Sequence, residues 1–87
     1  MESYQVEFSK SAQKDLNKIP KQHVAKIILA IDKLALDPSH AANSKKMVNW
    51  GKTYRLRVGD FRVLYELENS VLIVYVVAVG HRKDIYR

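Results

Sequence analysis

The stretch KTYRLRVGDFRVLY, residues 52–65, decides the fold that this chain is expected to adopt. In its first half, apolar residues alternate with Arg55 and Arg57. Successive side chains of a strand point to opposite faces of a sheet, so the alternation predicts a strand with one apolar and one basic face. The Gly-Asp pair at 59–60 suits a tight turn, and residues 61–67 indicate an antiparallel return strand.

Arginine gives this predicted hairpin a candidate function. Arg55 and Arg57 leave the first strand on the same side, and Arg62 lies on the return strand. Guanidinium groups remain charged and match the oxygens of a phosphate through paired hydrogen bonds, so the hairpin is predicted to bind phosphate. The alternative is that these arginines are exposed strand residues paired with the acids of the hairpin. The closing segment GHRKDIYR, residues 80–87, is predicted to complete the site.

The length and composition predict a single small globular domain that spans residues 1–87. A chain of 87 residues is too short for a second hydrophobic core. Cysteine is absent, which excludes disulfides and thiolate metal sites. No signal-peptide pattern opens the chain, and its longest apolar run, residues 71–79, falls far short of the about 20 residues of a membrane helix. We therefore expect a cytoplasmic protein with no membrane partner.

Positive charge is concentrated in the second half of the chain. The formal net charge is +6, of which residues 1–43 carry +1 and residues 44–87 carry +5. A distribution of this kind favours a polyanion or an acidic protein as the partner, and it does not distinguish between the two.

The first half of the chain predicts a strand followed by a helical hairpin. Residues 4–8 alternate as a short strand, and Ser9 is a suitable N-cap for a first helix. Pro20 can begin a second helix, in which apolar residues recur with helical spacing over residues 22–36. The Asp-Pro pair at 37–38 ends this helix, because the residue before a proline is pushed out of helical geometry.

Residues 39–51 form the long stretch without a periodic pattern. We expect Trp50 to return this loop to the core, the alternative being that it stacks on a nucleic-acid base. The run VLIVYVVAV, residues 71–79, is apolar on both faces and predicts a strand in the middle of a sheet. The predicted fold is therefore α+β, with an N-terminal strand and a helical hairpin packed on one face of a mainly antiparallel four-stranded sheet.

Three segments, taken in order, resemble the RelE/ParE superfamily of toxins from bacterial and archaeal toxin–antitoxin systems. VEFSKSAQKDLNKIP (residues 6–20) resembles the opening strand and first helix of that family. YRLRVGDFRVLYEL (residues 54–67) resembles its central hairpin, and VVAVGHRKDIYR (residues 76–87) resembles its final strand and tail. The resemblance implies a RelE-like fold and a cognate antitoxin protein as partner, with operator DNA contacted only through the antitoxin.

The resemblance is greater to the RelE branch, whose members cut mRNA in the ribosomal A site. The reaction it implies is attack of a 2′-hydroxyl on the adjacent phosphate, which gives a 2′,3′-cyclic phosphate and a free 5′-hydroxyl without a metal or other cofactor. The second implied partner is the ribosome with its mRNA, and the outcome is inhibition of translation. Two alternatives are a ParE-like inhibitor of DNA gyrase without nuclease chemistry, and an inactive relative that only binds an acidic antitoxin helix.

The resemblance also implies catalytic roles for residues of the hairpin and the tail. The resemblance gives Arg55, Arg57, Arg62, Arg82 and Tyr86, and the suitability of imidazole for proton transfer adds His81 to the catalytic set. The hairpin arginines would stabilise the charged phosphorane, and Arg82 would lie near the leaving 5′ oxygen. Tyr86 would stack on or orient a codon base, or else anchor the tail. The residues expected to contact RNA are Lys45, Lys46, Lys52, Lys83 and Arg87.

The group that accepts the 2′ proton is left open by the residue types. The best-known RelE enzyme has lysines where this chain has Arg55 and Arg57, and arginine does not readily lose its proton. His81 is a candidate base or acid, the alternative being a turn residue that orients Arg82. Lys52 is a further candidate.

Overall fold

Residues 3–41 and 43–85 are described by the computed structural model, and they form one five-stranded sheet with two α-helices. The strands are β1 (Gln5–Phe8), β2 (Ser44–Lys46), β3 (Thr53–Val58), β4 (Phe61–Glu68) and β5 (Ile73–His81). The helices are α1 (Lys10–Asn17) and α2 (Lys21–Leu36), and a 3-10 turn follows at Pro38–His40. The strand order is β1-β5-β4-β3-β2, with β1 parallel to β5 and the other neighbours antiparallel.

The helices begin and end close to the positions that the sequence predicts. Ser9 Oγ accepts a hydrogen bond of 3.0 Å from the Ala12 amide, which makes Ser9 the N-cap of α1. Pro20 is the N-cap of α2 rather than its first residue. Asp37 leaves the helical conformation with φ −158° and ψ 80°, because a proline follows it. No helix within the described residues combines the length and apolar character needed to cross a membrane.

The core lies between the two helices and one face of the sheet. Ile27 and Ile31 of α2 are 0% and 1% exposed and belong to the same buried cluster as Val63, Tyr65 and Val74 of the strands. Burying an aliphatic side chain of this size contributes about 1.5–3 kcal/mol. The predicted α+β architecture, with the helical hairpin on one face of the sheet, is therefore confirmed.

Strand β5 occupies the middle of the sheet, as its apolar sequence predicts, and α1 covers the part of its edge that β1 does not reach. β1 pairs only with residues 73–76 of β5. Beyond them, Ser9 Oγ donates to the Val77 carbonyl at 3.0 Å, and the Val79 amide donates to Asp15 Oδ2 at 3.0 Å. These bonds occupy backbone groups that an uncovered strand edge would leave unpaired.

The sheet has five strands rather than the four predicted, because β2 lies in the stretch expected to be irregular. β2 has three residues, too few for an alternating pattern to be recognised. It is held at the sheet edge by a hydrogen bond between the hydroxyls of Ser44 and the buried Tyr65. The Arg57 amide also donates to the Asn43 carbonyl at 2.9 Å.

The loop between β2 and β3 does not return Trp50 to the core, contrary to the prediction. Trp50 is 41% exposed, and Val48 beside it is 83% exposed. The Met47 amide donates to the Thr53 carbonyl at 3.0 Å, and the Thr53 amide donates to the Trp50 carbonyl at 3.2 Å. Gly51 takes a φ of 61°, which glycine adopts without strain. Hydrogen bonds of the turn therefore shape this loop, rather than burial of its aromatic ring.

Candidate phosphate-binding site

The strand register brings the three hairpin arginines to the same side of the sheet. Arg57 is the cross-strand partner of Arg62, and Leu56 is the partner of Val63. Cross-strand partners share a face and neighbours along a strand alternate, so all three arginines point away from the buried Leu56. We call the face that carries Arg55, Arg57 and Arg62 the open face, and the face that carries Leu56 the helix face.

Lys45 joins the arginines from β2, whereas its neighbour Lys46 does not. Lys45 is the cross-strand partner of Arg55, and Lys46 is the partner of Tyr54. Because Tyr54 packs against the core, Lys46 leaves from the helix face. A groove of about 280 Å³ is lined by Lys45, Arg55 and Arg57 together with Asn43 and Ser44. The register therefore separates the two lysines, and we exclude Lys46 from the candidate site.

Arg57 and Arg62 lie directly opposite each other without an acid between them. Cross-strand partners have Cβ atoms about 4.5–5.5 Å apart, where like charges destabilise the pair. Arg62 Nη1 donates to the carbonyls of Gly59 and Phe61, at 2.9 Å each. Among residues 3–41 and 43–85, no carboxylate lies within 4.0 Å of these two guanidinium groups or of Arg55. The cluster is therefore suited to an anion from outside the chain.

Arg82 lies at the same end of the β3–β4 hairpin as Arg57 and Arg62. The Arg82 amide donates to the Asp60 carbonyl at 2.8 Å, which ties the residues after β5 to the turn between β3 and β4. Its Nε is 3.9 Å from Asp60 Oδ1, and the two side chains are 56% and 69% exposed. An exposed ion pair of this kind contributes only about 0.2–1 kcal/mol, so the Arg82 side chain can exchange Asp60 for a phosphate.

Gly80 allows the chain after β5 to fold back over the open side of the sheet beside Arg62. Gly80 is the cross-strand partner of Arg62, so a side chain at this position would point to the open face. A Cβ placed on Gly80 would lie 3.2 Å from Ile85 Cδ1 and 3.8 Å from Ile85 Cα. Any other residue would press against this returning segment. Gly80 and Ile85 thus determine how closely the returning segment approaches β5.

His81 lies on the helix face rather than with the arginines. It is the cross-strand partner of Phe61, and the two rings meet edge to face with centroids 5.7 Å apart. Phe61 also contacts His23 of α2, at a centroid distance of 5.1 Å. His81 is predicted from the sequence to share a site with the hairpin arginines, whereas its ring lies on the other side of the sheet from them.

The hydrogen bonds of His81 organise the turn that carries Arg82. Its Nδ1 accepts from the Lys83 amide at 3.2 Å, and its carbonyl accepts from the amides of Asp84 and Ile85 at 2.8 and 3.0 Å. A neutral imidazole that accepts at Nδ1 carries its proton on Nε2, so its remaining nitrogen is a donor. The Nδ1 lone pair is thus engaged by the backbone of the turn, and the contacts of His81 match those of a residue that orients Arg82.

Lys52 lies at the opposite end of the hairpin, where two carboxylates hold it. Its Nζ is 2.8 Å from Glu68 Oε1 and 4.0 Å from Glu66 Oε1. The hydrogen bond and the negative charge of Glu68 raise the pKa of Lys52 above its ordinary value, with a smaller contribution from Glu66. A lysine acts as a base only when its pKa falls, so these contacts argue against Lys52 as the proton acceptor.

The remaining expected residues lie in or next to the tail. Lys83 is exposed on the turn after β5. Tyr86 and Arg87 lie outside the described residues. Two residues near the arginines, Asn43 and Gly80, are not among those predicted. Asn43 gives no sequence signal because β2 is so short, whereas a glycine directly after the apolar run 71–79, in a chain with only 3 glycines, is a sign of close backbone approach.

A larger cavity, of about 540 Å³, lies on the helix face and contains none of these arginines. Its lining includes Tyr4, Leu36, Lys46 and Tyr54 near the C-terminal end of α2. Proteins hold a nucleic-acid backbone with exposed cations rather than with deep cavities, so the open face is the better candidate. Within the described part of the chain, no three His, Asp or Glu side chains come together in a way that could hold a metal ion.

Comparisons with known proteins agree on one group of relatives. A family model described as the ParE toxin of the type II toxin–antitoxin system parDE matches residues 6–86. Toxin RelG of Mycobacterium tuberculosis is 32% identical over 85 residues, which cover 97% of each chain. Among solved structures, the toxin–antitoxin complex RelBE2 of Mycobacterium tuberculosis matches with a TM-score of 0.85 and 28% identity over 97% of each chain. The archaeal RelE–RelB complex of Pyrococcus horikoshii matches with a TM-score of 0.79 and 25% identity, over 95% of this chain and 99% of that chain.

Proposed function

Because the chain belongs to the RelE/ParE superfamily of toxins from type II toxin–antitoxin systems, we propose that it is a ribosome-dependent endoribonuclease that cleaves mRNA in the A site. The observation that carries this proposal is the group of Arg55, Arg57 and Arg62 on the open face, none of them paired with an acid within the described residues. Such a group gains most from a ligand with concentrated negative charge, and the phosphate backbone of mRNA is one. Cleavage would stop translation in the cytoplasm.

The arginines of the open face suit the charge changes of the proposed reaction. The 2′-hydroxyl of the substrate gives its proton to solvent water and its oxygen attacks the neighbouring phosphorus. The bond from phosphorus to the 5′ oxygen of the next nucleotide breaks, and that oxygen takes up a proton from solvent. The five-coordinate phosphorane between these events carries more negative charge than the starting phosphate. Arg57 and Arg62 are carried by paired strands, and the carbonyls of Gly59 and Phe61 hold the guanidinium of Arg62, so Arg62 would meet this charge with little rearrangement. Removing one preorganised donor of this kind typically costs about 10²–10³-fold in rate.

The tail would act on the other side of the scissile phosphate. Arg82 is tied through its amide to the turn at Asp60, and its guanidinium would stabilise the departing 5′ oxygen. We assign His81 the orientation of Arg82, through the hydrogen bonds that its ring and carbonyl accept. Tyr86 would stack on a base of the codon in the A site.

A cognate antitoxin is the second partner that we propose. The two solved relatives are complexes of a RelE-type toxin with its antitoxin. The formal net charge of +6 favours an acidic segment in such a partner. Operator DNA would be contacted through the antitoxin only.

The proposal is tested with purified ribosomes programmed with a defined mRNA. The toxin is added, and the 3′ ends produced are mapped by primer extension. We expect a cut within the A-site codon, a cyclic phosphate at the new end, and no cut when the ribosomes are omitted. Prior addition of the co-expressed antitoxin is expected to prevent cleavage. Intact mRNA on ribosomes treated with folded toxin would overturn the proposal.

One observation favours a second candidate function, because the matching family model is described as a ParE toxin. In that case the basic face would serve to bind DNA gyrase, and the chain would carry out no chemistry. A supercoiling assay with purified gyrase, run with the same toxin preparation, separates the two functions. Inhibited supercoiling together with uncut mRNA would establish the second function in place of the first.

A further inference from the structure

We propose that the open face binds two successive phosphates of one RNA strand, the scissile phosphate at Arg57 and Arg62 and its neighbour at Lys45 and Arg55. The inference rests on the proposed nuclease function and assigns a register to the RNA within that site. We call Arg57 and Arg62 the turn row, and Lys45 and Arg55 the edge row.

Each row is a pair of cations fixed by strand pairing. In the turn row, Arg57 of β3 faces Arg62 of β4. In the edge row, Lys45 of β2 faces Arg55 of β3. Cβ atoms of such partners are about 4.5–5.5 Å apart, so the two side chains of a row leave the open face from neighbouring points. In the turn row, Arg62 Nη1 is held by the carbonyls of Gly59 and Phe61, and the other donors of that guanidinium remain for a phosphate. Each row therefore offers two cationic side chains to one phosphate.

The distance between the rows suits consecutive phosphates. Arg55 and Arg57 are two residues apart on β3, which separates them by about 6.6–6.8 Å along the strand. That distance is comparable with the separation of neighbouring phosphates in an extended single RNA strand. The edge row is also displaced sideways by one strand, about 4.7–4.9 Å, so the centres of the two rows lie about 8 Å apart and the RNA would cross β3 obliquely. The long arms of arginine and lysine cover this offset.

The next position along the open face turns from basic to acidic, which limits the site to two phosphates. Beyond the edge row, Glu66 of β4 is the cross-strand partner of Thr53 and of Tyr75. Glu7 of β1 is the other partner of Tyr75 and lies on the same face. The cation closest to this region, Lys52, is already held by Glu66 and Glu68. A third phosphate would therefore meet carboxylates rather than free cations.

The tail indicates which row receives the scissile phosphate. The Arg82 amide is bound to the Asp60 carbonyl in the turn next to Arg57 and Arg62. Gly80, the partner of Arg62, lets the returning residues pass close to the same end of the sheet. No residue of the tail is tied to the edge row within the described residues. The reacting phosphate therefore belongs at the turn row, and the edge row sets its position by holding the neighbour.

The test removes the charge of single phosphates in the mRNA and of single residues in the toxin. Programmed ribosomes receive an mRNA with one uncharged methylphosphonate linkage, placed directly before or directly after the scissile phosphate. The nucleotide before that linkage lacks its 2′-hydroxyl, which keeps the linkage intact, and the control mRNA has the same deoxynucleotide with an ordinary phosphate. Cleavage rates are compared for the wild type, Arg55→Gln and Lys45→Gln. Lys46→Gln is the matched control, because Lys46 adjoins Lys45 but leaves from the helix face.

The expected result is a coupling between one linkage and the edge row. Neutralising one of the two neighbouring linkages slows the wild type by about 10–100-fold, as expected for a lost hydrogen bond to a charged group. The same change slows Arg55→Gln and Lys45→Gln by about threefold or less, since the contact is already lost. Lys46→Gln responds as the wild type does.

Two other results overturn the inference, and they are distinct from failure of the proposed function. If neither linkage affects the wild type, or if linkage and substitution effects combine independently at both positions, the edge row does not hold a neighbouring phosphate. In both cases the wild type still cuts the control mRNA. If the control mRNA itself is not cut by folded wild type, the proposed nuclease function fails.

Discussion

The two ends of the β3–β4 hairpin carry cations in opposite circumstances. At one end, Lys52 has Glu68 at 2.8 Å and Glu66 at 4.0 Å. At the other end, Arg57 and Arg62 face each other across the strands, with no carboxylate of the described residues within 4.0 Å. A count of basic residues treats the cations of both ends alike. Only the second retains positive charge that an external anion can neutralise.

This difference shows that strand register, rather than composition, decides which cations are available to a substrate. Arg57 and Arg62 are paired because the turn at Gly59 and Asp60 sets the register of β3 and β4. The same register puts Glu66 near the start of β3, within reach of Lys52. A shift of one residue in the pairing of β3 with β4 would put Arg57 and Arg62 on opposite faces of the sheet and would move Glu66 to the other face as well. The hairpin thus separates an ion pair at one end from two mutually repelling arginines at the other end, where we propose that phosphate binds.

The difference between the two ends of the hairpin is tested most directly by removing a cation from the end that carries Arg57 and Arg62. We expect Arg62→Ala to lower the rate of mRNA cleavage on ribosomes by about 10²–10³-fold, because a preorganised donor to the phosphorane is lost. Arg62→Lys keeps the charge but loses the fork of donors, so its rate should fall between those of Arg62→Ala and the wild type. Rates are measured under single-turnover conditions.

Arg62 also supports the turn, so its variants need a test of folding. Its Nη1 donates to the Gly59 and Phe61 carbonyls, and these bonds are lost with the side chain. Thermal unfolding followed by circular dichroism shows whether the sheet survives at the assay temperature. A folded Arg62→Ala that cuts at the wild-type rate would remove the turn end of the hairpin from the proposed site.

A second prediction concerns the segment that returns over Gly80. Gly80→Ala places a Cβ 3.2 Å from Ile85 Cδ1, so the segment must shift by a few tenths of an ångström. We expect cleavage to slow by about tenfold, less than the 10²-fold that a misplacement of 1 Å can cost. Ile85→Val removes Cδ1, and the double variant should recover most of the lost rate. Equal rates for Gly80→Ala with and without Ile85→Val would contradict a steric role.

The sequence predicts the architecture and the basic face well, because both follow from local patterns. Alternation in TYRLRV places Arg55 and Arg57 on one face, and helical spacing marks α2. The RelE-like fold expected from these segments is confirmed by the match to the RelE-type complexes. β2 was missed because three residues show no periodicity and its pairing depends on a contact with the distant Tyr65.

The face on which His81 lies could not be read from the sequence. β5 is apolar on both sides, so its residues carry no signal of orientation. The pairing of β4 with β5 also shifts between Leu64 and Tyr65, where a bulge adds a residue to one strand. Orientation at the end of β5 therefore depends on this irregularity. The ion pairs of Lys52 were hidden for a similar reason, since Glu66 and Glu68 reach it only through the register of the hairpin.

A third prediction tests whether the edge of the sheet beside Arg55 depends on the buried hydroxyl pair. Tyr65→Phe removes the hydroxyl that bonds to Ser44 and should lower the free energy of unfolding by about 0.5–1.5 kcal/mol at neutral pH. Because Ser44 belongs to β2, the variant should also weaken the coupling of Lys45 to the neighbouring phosphate. Chemical denaturation measures the first effect. An unchanged free energy of unfolding would show that β2 is held by its backbone alone.

The same tyrosine predicts a dependence on alkaline pH. Burial raises the pKa of Tyr65 above its ordinary value, although the hydrogen bond with Ser44 acts in the opposite direction. As the pH rises through about 10, the unfolded chain releases the phenolic proton before the folded chain does. The stability that Tyr65 contributes is therefore complete below that pH and is lost as the pH approaches the higher folded value. Phenylalanine has no phenolic proton to lose, so Tyr65→Phe does not show this decrease. The difference in the free energy of unfolding between the variant and the wild type should therefore become smaller above a pH of about 10.

The smallest effect is expected at the paired end of the hairpin. Lys52→Gln should change the cleavage rate by no more than about threefold, because Lys52 is held by Glu66 and Glu68 and its exposed ion pairs contribute little. The hydrogen bond and charge of Glu68 raise the pKa of Lys52, so its contribution to stability is present below the unfolded value of about 10.4 and is lost as the pH rises through the folded value. Melting temperatures of Lys52→Gln and the wild type should therefore converge at high pH.

Lys10→Gln, at an exposed lysine of α1, serves as the control for loss of one positive charge. A loss of cleavage in Lys52→Gln as large as that in Arg62→Ala would make the two ends of the hairpin equivalent and return Lys52 to the list of possible proton acceptors.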